Sequence, residues 1–464
     1  MNLRCIQAAV LATLCAVCFL IHGPSLRNEF VIDDAAAVTA NPNVNSPKPW
    51  KFLRIWTQDY WIWLCDDGRA IRFGDDRNLY RPVTVAVNML NSMITGISSA
   101  KFRAVNILLH VCAAWLVGLW CGAWMGRRAG VLAALVMLLH PLATDVINRV
   151  VGRADILAVI GMAGALWVQR QKGRAWLIPL FLFSLVAVGA KESGILVVPL
   201  ALVQTWVGMA GPGVQRREAG WQLGVVLAPA TLLMVLRWAV VGVPGYDPRP
   251  DWDVSDNPAF RMALADRLPL GLGLVWYYAR QMIWPWPMLA YDQPLEVAGW
   301  RSADCWAGAF LVLLMLYGVV KGFQGRRVAV IGLTFWLGQV VLVSQVIRPI
   351  GDYRAARMAY SMVPAVAFLA AGFLAERVWA RRALRGTLLG ILAGLMAAGI
   401  TVSVRRTRDF RNDLSLLEAD VLARPDGVSS LIRLGSVYVG QNRHDEADRV
   451  LQRAAQLRPR QSEA

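Results

Sequence analysis

The chain has 464 residues, of which 56% are hydrophobic, and its mean hydropathy is +0.44. This composition is too apolar for an ordinary soluble domain and indicates a protein with many membrane helices. The net charge of +17 does not indicate nucleic-acid binding, because the basic residues form short clusters between apolar runs, as in the loops of membrane proteins.

Eleven apolar segments approach the length of about 20 residues that a membrane-spanning helix needs. In the first one, Arg4 precedes the apolar core, as in a signal peptide. No small-x-small cleavage site follows that core, so we interpret the segment as a retained helix. The predicted spans are residues 3–22, 102–123, 129–147, 154–169, 175–190, 193–210, 220–241, 303–322, 328–346, 359–377 and 385–404.

Clusters of arginine and lysine fall in every second loop, which places these loops on the cytoplasmic side, near anionic lipid head groups. The clusters lie at 126–128, 170–174, 215–217, 321–327 and 377–385. The outer side then holds loops 23–101, 148–153, 191–192, 242–302 and 347–358. The N-terminus is cytoplasmic, and the tail from residue 405 is outside.

Segment 268–289 is also apolar, but counting it as a span would move the cluster at 321–327 to the outer side. We therefore predict a re-entrant or interfacial piece, ended by Pro285 and Pro287. In the first outer loop, "PWKFLRIWTQDYWIWL" (49–64) and "RPVTVAVNMLNSMITG" (81–96) have roughly helical apolar spacing, which predicts two amphipathic helices on the membrane surface.

The C-terminal tail, residues 405–464, changes character and forms a second domain after the membrane domain of residues 1–404. Segment 428–459 matches the tetratricopeptide pattern at eight positions, and segment 411–425 resembles the second helix of a preceding, incomplete repeat. Because about three repeats are needed for stability alone, we expect this short piece to dock against another part of the chain or a protein partner. The eight positions are Leu431, Leu434, Gly435, Tyr438, Ala447, Leu451, Ala454 and Pro459.

Charged residues near the membrane core are costly, on the order of 3 kcal/mol, and usually face a cavity or a partner. Under the predicted topology, many such residues gather on the outer side. Two acids in one place with several cations around them suit a general base opposite an anionic leaving group. The outer charges of interest are Asp33, Asp34, Arg81, His140, Arg153, Asp155, Lys191, Glu192, Arg348, Arg354 and Arg357.

The order of motifs resembles that of the transmembrane and tetratricopeptide-repeat O-mannosyltransferases, a branch of the GT-C glycosyltransferases. The motifs run from "FVIDDAAAVTANPNV" through "YRPVT", "LLHPLATDVINRVVGRAD", "AKESG" and "WPWPMLAYD" to "DYRAARMAY" and the repeat tail. The late motif and the very short repeat array depart from the pattern of those relatives. The resemblance implies an all-α GT-C-type membrane bundle.

The resemblance also implies inverting transfer of a sugar, a hexose such as mannose, from a polyprenyl-phosphate donor to an outer-face hydroxyl of a protein, glycan or lipid. The base is then Asp33 or Asp34, with Asp33 slightly favoured, unless both acids only cap a helix. The phosphate ligands are expected among Arg81, His140, Arg153, Lys191, Arg348, Arg354 and Arg357. For each of these, an ion pair or a lipid contact is the alternative role.

Asp155 and Glu192 either bind sugar or acceptor hydroxyls or simply neutralise Arg153 and Lys191. A metal at the acidic pair occurs in some GT-C branches, but the sequence offers no fuller set of oxygen ligands, so we expect no cofactor. Two other functions remain open, a lipid or solute transporter and a membrane-anchored repeat scaffold. The lack of an N-x-S/T sequon favours the bacterial inner membrane, with a periplasmic site.

Overall fold

The computed structural model describes residues 3–64, 70–72, 79–209, 216–242, 257–291, 298–324, 327–377 and 382–462. In these ranges the chain is almost entirely helical, and seven helices are long and apolar enough to cross a membrane. The protein is therefore an integral membrane protein. The apolar helices are α1 Leu3–His22, α6 Ser99–Met125, α7 Arg127–Leu139, α9 Arg153–Val168, α10 Leu177–Ala190, α11 Val197–Met209, α12 Arg216–Val241, α14 Ala303–Gln324, α15 Arg327–Val343, α17 Val363–Arg377 and α18 Arg382–Asp409.

Each of the eleven predicted spans coincides with one of these helices, with one interruption. The predicted span 129–147 is divided, because the helix stops before Pro141 and resumes as α8 Ala143–Asn148. Proline cannot donate to a helical hydrogen bond and pushes the preceding residue out of the helical region. His140 accordingly has an extended backbone. Several of the eleven are short for a span, so the number eleven stays a prediction.

The outer loops predicted from the charge pattern contact one another. Asn28 in the first outer loop donates to the carbonyl oxygen of Thr407 near the start of the tail at 2.9 Å. Arg81 in the same loop pairs with Glu192 in the outer turn between α10 and α11. These turns are far apart in sequence but lie at the same end of the bundle, as the predicted topology requires.

The loops predicted to be cytoplasmic also contact one another. The backbone N–H of Gly173 donates to Glu218 at 3.1 Å, which joins the α9–α10 loop to the start of α12. The guanidinium of Arg170 lies over the Trp124 ring, 4.0 Å from its centroid, which joins the same loop to the end of α6. The end of α6, the α9–α10 loop and the start of α12 therefore lie at one end of the bundle, as the charge pattern predicts for them.

Small residues let the central helices approach closely. A Cβ atom on Gly130 of α7 would lie 2.5 Å from the backbone oxygen of Gly118 in α6. A Cβ atom on Gly161 of α9 would lie 2.2 Å from the backbone nitrogen of Ala187 in α10. Both gaps are too small for any side chain, and close backbone packing of this type is typical of membrane helices.

The first outer loop differs in part from the prediction. The segment 81–96 forms the expected helix, α5 Pro82–Thr95, and its Leu90, Met93 and Ile94 are exposed. The prediction of a helix across 49–64 was correct only for the first half, where Lys51–Arg54 is α-helical and Ile55–Thr57 forms a 3-10 turn, and it was wrong for the second half. The loop forms short helices α2 Asp34–Ala37, α3 Pro42–Asn45 and α4 Lys51–Arg54, followed by strands β1 Ile62–Leu64 and β2 Ala70–Arg72.

The strands β1 and β2 pair antiparallel, with Trp63 opposite Ile71. The run "YWIWL" is rich in aromatic and β-branched residues with apolar side chains at every position, which favours a strand over a helix. A turn also interrupts the segment, since the Asp59 carboxylate accepts from the backbone of Trp61 at 2.7 Å. This hairpin is the one β element in the described ranges.

Segment 268–289 forms most of helix α13 Leu264–Ile283, which ends just before Pro285 and Pro287, as expected. Gly271 packs against Ser344, just after the outer end of α15. The Met282 carbonyl accepts from His140 at the outer end of α7. Both contacts favour a re-entrant or interfacial position, which stays a prediction. In the predicted outer loop 242–302, residues 243–256 and 292–297 lie outside the described residues.

The tail contains three helices, α19 Asp413–Ala423, α20 Val428–Gly440 and α21 His444–Ser462, and short α16 Ala356–Ala359 lies before α17. Leu451 of α21 packs on Gly435 of α20, as the repeat pattern requires. Assignment of the tail as a tetratricopeptide repeat and a separate domain stays a prediction. The tail docks against the outer loops, because Val31, Tyr291 and tail residues such as Leu417 share one apolar cluster.

Candidate active site

Buried polar side chains of α6 and α8 anchor the start of the first outer loop. Arg103 of α6 donates to the carbonyl oxygens of Asn28 and Glu29 and, at 2.8 Å, to that of Asn148. Asn28 also donates to the side chain of Asn148 at 3.2 Å. These contacts fix the loop just before the adjacent acids Asp33 and Asp34.

Asp34 is fully buried and holds the loop together. Its two carboxylate oxygens accept from different backbone groups, one from Val31 at 3.3 Å and the other from Val151 at 3.1 Å. Burial raises the pKa of Asp34 to about 6, against the opposing effects of Arg103 and of these hydrogen bonds. Asp34 therefore connects the first loop to the turn before α9.

Asp33 differs from its neighbour in having no partner. It is partly exposed, and its carboxylate makes no hydrogen bond or ion pair with any residue that the structure describes. It precedes α2, but its side chain makes no capping hydrogen bond. Its oxygens are therefore available to accept a proton or a hydrogen bond from a substrate.

Three arginines from different parts of the chain gather at Glu192. Arg81 binds its carboxylate with a forked contact, at 3.1 Å through Nε and 2.8 Å through Nη2. Arg237 of α12 approaches the other oxygen to 3.8 Å. Arg348 is exposed, and partial burial together with Arg237 lowers its pKa, whereas Glu192 opposes that shift. Positive charge is thus concentrated at this outer turn.

Lys191 points to a different acid from the one expected. Its ammonium group binds the Asp155 carboxylate at 2.5 Å, and Asp155 is nearly fully buried. Both acids are paired with cations, but the pairs are Lys191 with Asp155 and Arg81 with Glu192. The tight turn depends on Gly194, where an added Cβ atom would lie 1.8 Å from the carbonyl oxygen of Ala187.

Arg153 has a structural environment. Its guanidinium is fully buried and donates to the side-chain oxygens of Asn88, Asn91 and Asn106 at 2.8–2.9 Å, and to the carbonyl of Phe102 at 2.9 Å. These contacts join α5 and α6 to α9. They use four of the five N–H donors of arginine, so Arg153 is a poor candidate for phosphate binding.

His140 also has backbone partners for both ring nitrogens. Nε2 donates to the Met282 carbonyl at 3.1 Å, and Nδ1 accepts from the backbone of Leu142 at 3.4 Å. This arrangement joins the break between α7 and α8 to α13. A neutral ring with both nitrogens occupied favours a structural role over binding to a phosphate.

The late motif brings Arg357 near Asp33. Arg357 binds Asp352, and the charge of Asp33 also acts on it. Burial raises the pKa of Tyr291, and Asp33 raises it further, so this ring also lies near the same carboxylate. Arg354 is placed differently, since its guanidinium lies over the Tyr277 ring at 4.3 Å.

Tyr60, which the sequence did not single out, lies near both Arg81 and the acidic pair Asp33 and Asp34. The guanidinium of Arg81 lies 5.5 Å from its ring centroid. Burial raises the pKa of Tyr60, and the charges of Arg81, Asp33 and Asp34 also act on it. Arg237 was missed too, although an arginine within the apolar run "LMVLRWAVV" is itself a signal of function.

The arrangement offers acid–base and anion-binding chemistry. A carboxylate with free oxygens lies near Arg357, and a group of arginines lies beyond Tyr60. Within the described ranges, no group of three His, Cys, Asp or Glu side chains could hold a metal ion.

Comparison with known proteins gives O-mannosyltransferase relatives, although no protein-family model matches the chain. Over 219 residues it is 31% identical to "Protein O-mannosyl-transferase TMTC1" of Mus musculus. The aligned part makes up 43% of this chain and 22% of the relative. Over 447 residues it is 24% identical to "Protein O-mannosyl-transferase TMTC4" of Homo sapiens, with 82% and 58% covered. These names confirm the resemblance inferred from the motifs. The first match spans only about a fifth of its relative's length.

Solved structures that are similar include ArnT from Cupriavidus metallidurans bound to undecaprenyl phosphate, with a TM-score of 0.45 and 15% identity, covering 97% of this chain and 75% of that one. Another is the apo oligosaccharyltransferase of Archaeoglobus fulgidus, with a TM-score of 0.44 and 13% identity, covering 92% and 59%.

Proposed function

We propose that the chain is a membrane glycosyltransferase that transfers a sugar from a polyprenyl-phosphate donor to an acceptor hydroxyl on the outer face. A hexose is the expected sugar, and the names of the O-mannosyltransferase relatives favour mannose. The observation that carries the proposal is the Asp33 carboxylate, which lacks a partner among the described residues in a site that is otherwise rich in paired charges.

Asp33 acts as the general base. It takes the proton from the acceptor hydroxyl while the hydroxyl oxygen forms a bond to the anomeric carbon of the sugar. The bond from that carbon to the phosphate oxygen breaks, and its electron pair leaves with the lipid phosphate. A single displacement of this kind inverts the anomeric centre. Asp34 is unsuited to this role, because both its oxygens are occupied and buried.

The arginines at Glu192 stabilise the departing phosphate. Arg81, Arg237 and Arg348 come from three separate elements; their combined positive charge attracts an anionic phosphate, and the exposed guanidinium of Arg348 can donate to it directly. Lys191 and Arg357 lie beside this group and near Asp33, respectively, but each already has a carboxylate partner. They help to stabilise the phosphate mainly through the electrostatic potential of their positive charges. We exclude Arg153 and His140 from the phosphate ligands because of their structural contacts.

The acceptor approaches from the side of the docked tail, and it is a hydroxyl of a protein, a glycan or a lipid. The site and tail face the periplasm of a bacterial inner membrane, and the N-terminus is cytoplasmic. Three features support this orientation: the basic clusters at one bundle end, the contacts among the outer loops, and the tail packed against Val31 and Tyr291.

The test is incubation of the purified protein in nanodiscs with radiolabelled polyprenyl-phosphate sugars and membrane extracts, followed by identification of the labelled product. We expect transfer by the wild type and by Asp266→Asn, an exposed acid at the start of α13, and none by Asp33→Asn/Asp34→Asn. Normal transfer by the double variant contradicts the mechanism. Substrate movement across vesicles without a glycosidic product indicates a transporter instead. A function that is lost when residues 411–464 are deleted, but is unchanged in the Asp33→Asn/Asp34→Asn variant, indicates a scaffold.

A further inference from the structure

The residue before the acidic pair has a strained backbone. Ile32 has φ of 53°, in the left-handed region that β-branched residues rarely adopt. Such a conformation costs on the order of 1–3 kcal/mol and persists only where neighbouring contacts hold it. Because Ile32 directly precedes Asp33, its backbone angles set the direction in which the Asp33 carboxylate leaves the loop.

The contact that holds Ile32 comes from the tail. The backbone N–H of Ile32 donates to the Asp413 carboxylate of α19 at 2.6 Å. Nearby, the backbone N–H of Glu29 donates to the carbonyl of Arg411 at 2.9 Å. The first loop and the tail are therefore joined immediately before the acids, although the two segments are separated by almost the whole chain.

The tail carboxylate is itself held in place. Asn412 caps α19 through its contact with the backbone of Ser415 at 2.9 Å, and the Ser415 hydroxyl accepts from the backbone of Asn412 at 3.2 Å. This reciprocal capping fixes the first turn of the helix, in which Asp413 is the first residue. Asp413 therefore presents its carboxylate to the loop from a rigid support.

A second contact joins the tail to the segment that carries Tyr291. Asp420 of α19 accepts from the backbone N–H groups of Ala290 at 2.8 Å and Tyr291 at 3.3 Å. Its other oxygen binds Arg406 of α18 at 2.9 Å. A single helix of the tail thus touches both the loop that carries Asp33 and the segment that carries Tyr291.

We propose that Asp413 is a positioning residue, which holds Ile32 in its left-handed conformation and thereby aims Asp33 at the acceptor. This inference rests on the proposed function, since it assigns the tail a part in the same site. The tail is then a component of the active site, and loss of its contact slows transfer by letting Ile32 leave the left-handed conformation. The acceptor-side step depends on this contact, whereas the arginines that bind the phosphate do not touch it.

The first measurement is sugar transfer by Asp413→Ala, with Asp445→Ala, an exposed tail acid, as the matched control. We expect Asp413→Ala to lower kcat about 10-fold with an unchanged KM for the donor, because only the aim of Asp33 changes. Asp413→Asn retains an acceptor oxygen and should keep most of the activity. Equal activity of Asp413→Ala and the control overturns the proposal.

The second measurement separates positioning from general stability. Glycine adopts positive φ without strain, so Ile32→Gly removes the need for a holding contact. We expect Ile32→Gly/Asp413→Ala to transfer sugar within about 2-fold of Ile32→Gly alone. Failure of the glycine to rescue the alanine variant contradicts the positioning role, because a loss through unfolding of the tail would persist in both backgrounds.

Hydrogen exchange of the Ile32 amide gives a readout that does not require activity. The amide should exchange at least about 10-fold faster in Asp413→Ala than in the wild type or Asp445→Ala. Unchanged exchange overturns the proposal. If wild-type protein transfers no sugar, the proposed function fails, while the exchange rate still decides whether Asp413 holds the loop.

Discussion

Replacement of Arg153 by lysine tests whether a buried outer-side cation is structural or binds the substrate. Arg153 makes four hydrogen bonds to four acceptors on α5 and α6, at 2.8–2.9 Å, and its side chain is fully buried. Lysine has three N–H donors on one atom, so at least one acceptor loses its partner. A hydrogen bond to a charged group contributes about 1.5–3 kcal/mol, so we expect Arg153→Lys to destabilise the protein by about 3 kcal/mol.

The assay is thermal unfolding of the purified protein in detergent, with donor affinity measured on the folded fraction. We expect the midpoint for Arg153→Lys to fall by several degrees, while donor affinity stays within about 2-fold of the wild type. The control is Arg174→Lys, because Arg174 is exposed in the α9–α10 loop, away from the candidate site, and its side chain has no hydrogen bond or ion pair with any described residue. An unchanged midpoint with donor affinity weakened about 10-fold or more refutes the structural interpretation of Arg153.

Three further outcomes are expected. Alanine at Arg237 or Arg348 should weaken donor binding about 10-fold or more in a binding assay with polyprenyl phosphate, and equal binding would remove that residue from the phosphate site. The pKa of Asp34 is raised to about 6, so its contribution to stability is greatest below its unfolded pKa near 4 and is lost as pH rises through about 6. Thermal midpoints of the wild type and Asp34→Asn between pH 4.5 and 8 should show this trend only in the wild type. Gly194→Ala should reduce the folded yield, measured by size-exclusion chromatography, whereas Gly390→Ala on exposed α18 should not, because an added Cβ atom meets nothing within 4 Å there.

The sequence predicted the helices well because each depends on a local property, the length of an apolar run. The break at Pro141 was missed, because the apolar run continues through it from 129 to 147, although a proline within such a run is itself a local signal. The error at 49–64 arose where a periodic pattern competed with a run of aromatic and β-branched residues. The turn at Asp59 and pairing with residues 70–72 decided that competition, and neither is visible in the spacing of apolar residues.

The sequence predicted which charged residues lie in the candidate site better than it predicted which acid pairs with which base. The charged turns do lie at one end of the bundle, but which acid meets which base depends on helix packing. Asp155 was expected beside Arg153, its neighbour but one, yet it binds Lys191 of the next turn, while three asparagines surround Arg153. Asparagine carries no charge, so nothing in the charge pattern indicated that it would satisfy an arginine.

The contribution of the tail was predicted only in outline. The shortness of the repeat segment indicated that it would dock, and it does so. The partners of Asp413 and Asp420 are backbone N–H groups of Ile32, Ala290 and Tyr291. Backbone donors are the same in every sequence, so contacts of this kind become visible only in the folded structure.

Single-turnover sugar transfer by Asp33→Asn tests the role of the unpaired carboxylate most directly. A general base contributes about 10²–10⁴-fold to a rate, and asparagine has nearly the same shape but cannot take a proton at neutral pH. The account predicts that the transfer rate falls at least about 100-fold while the affinity for the polyprenyl-phosphate sugar stays unchanged. A rate within about 3-fold of the wild type would contradict it.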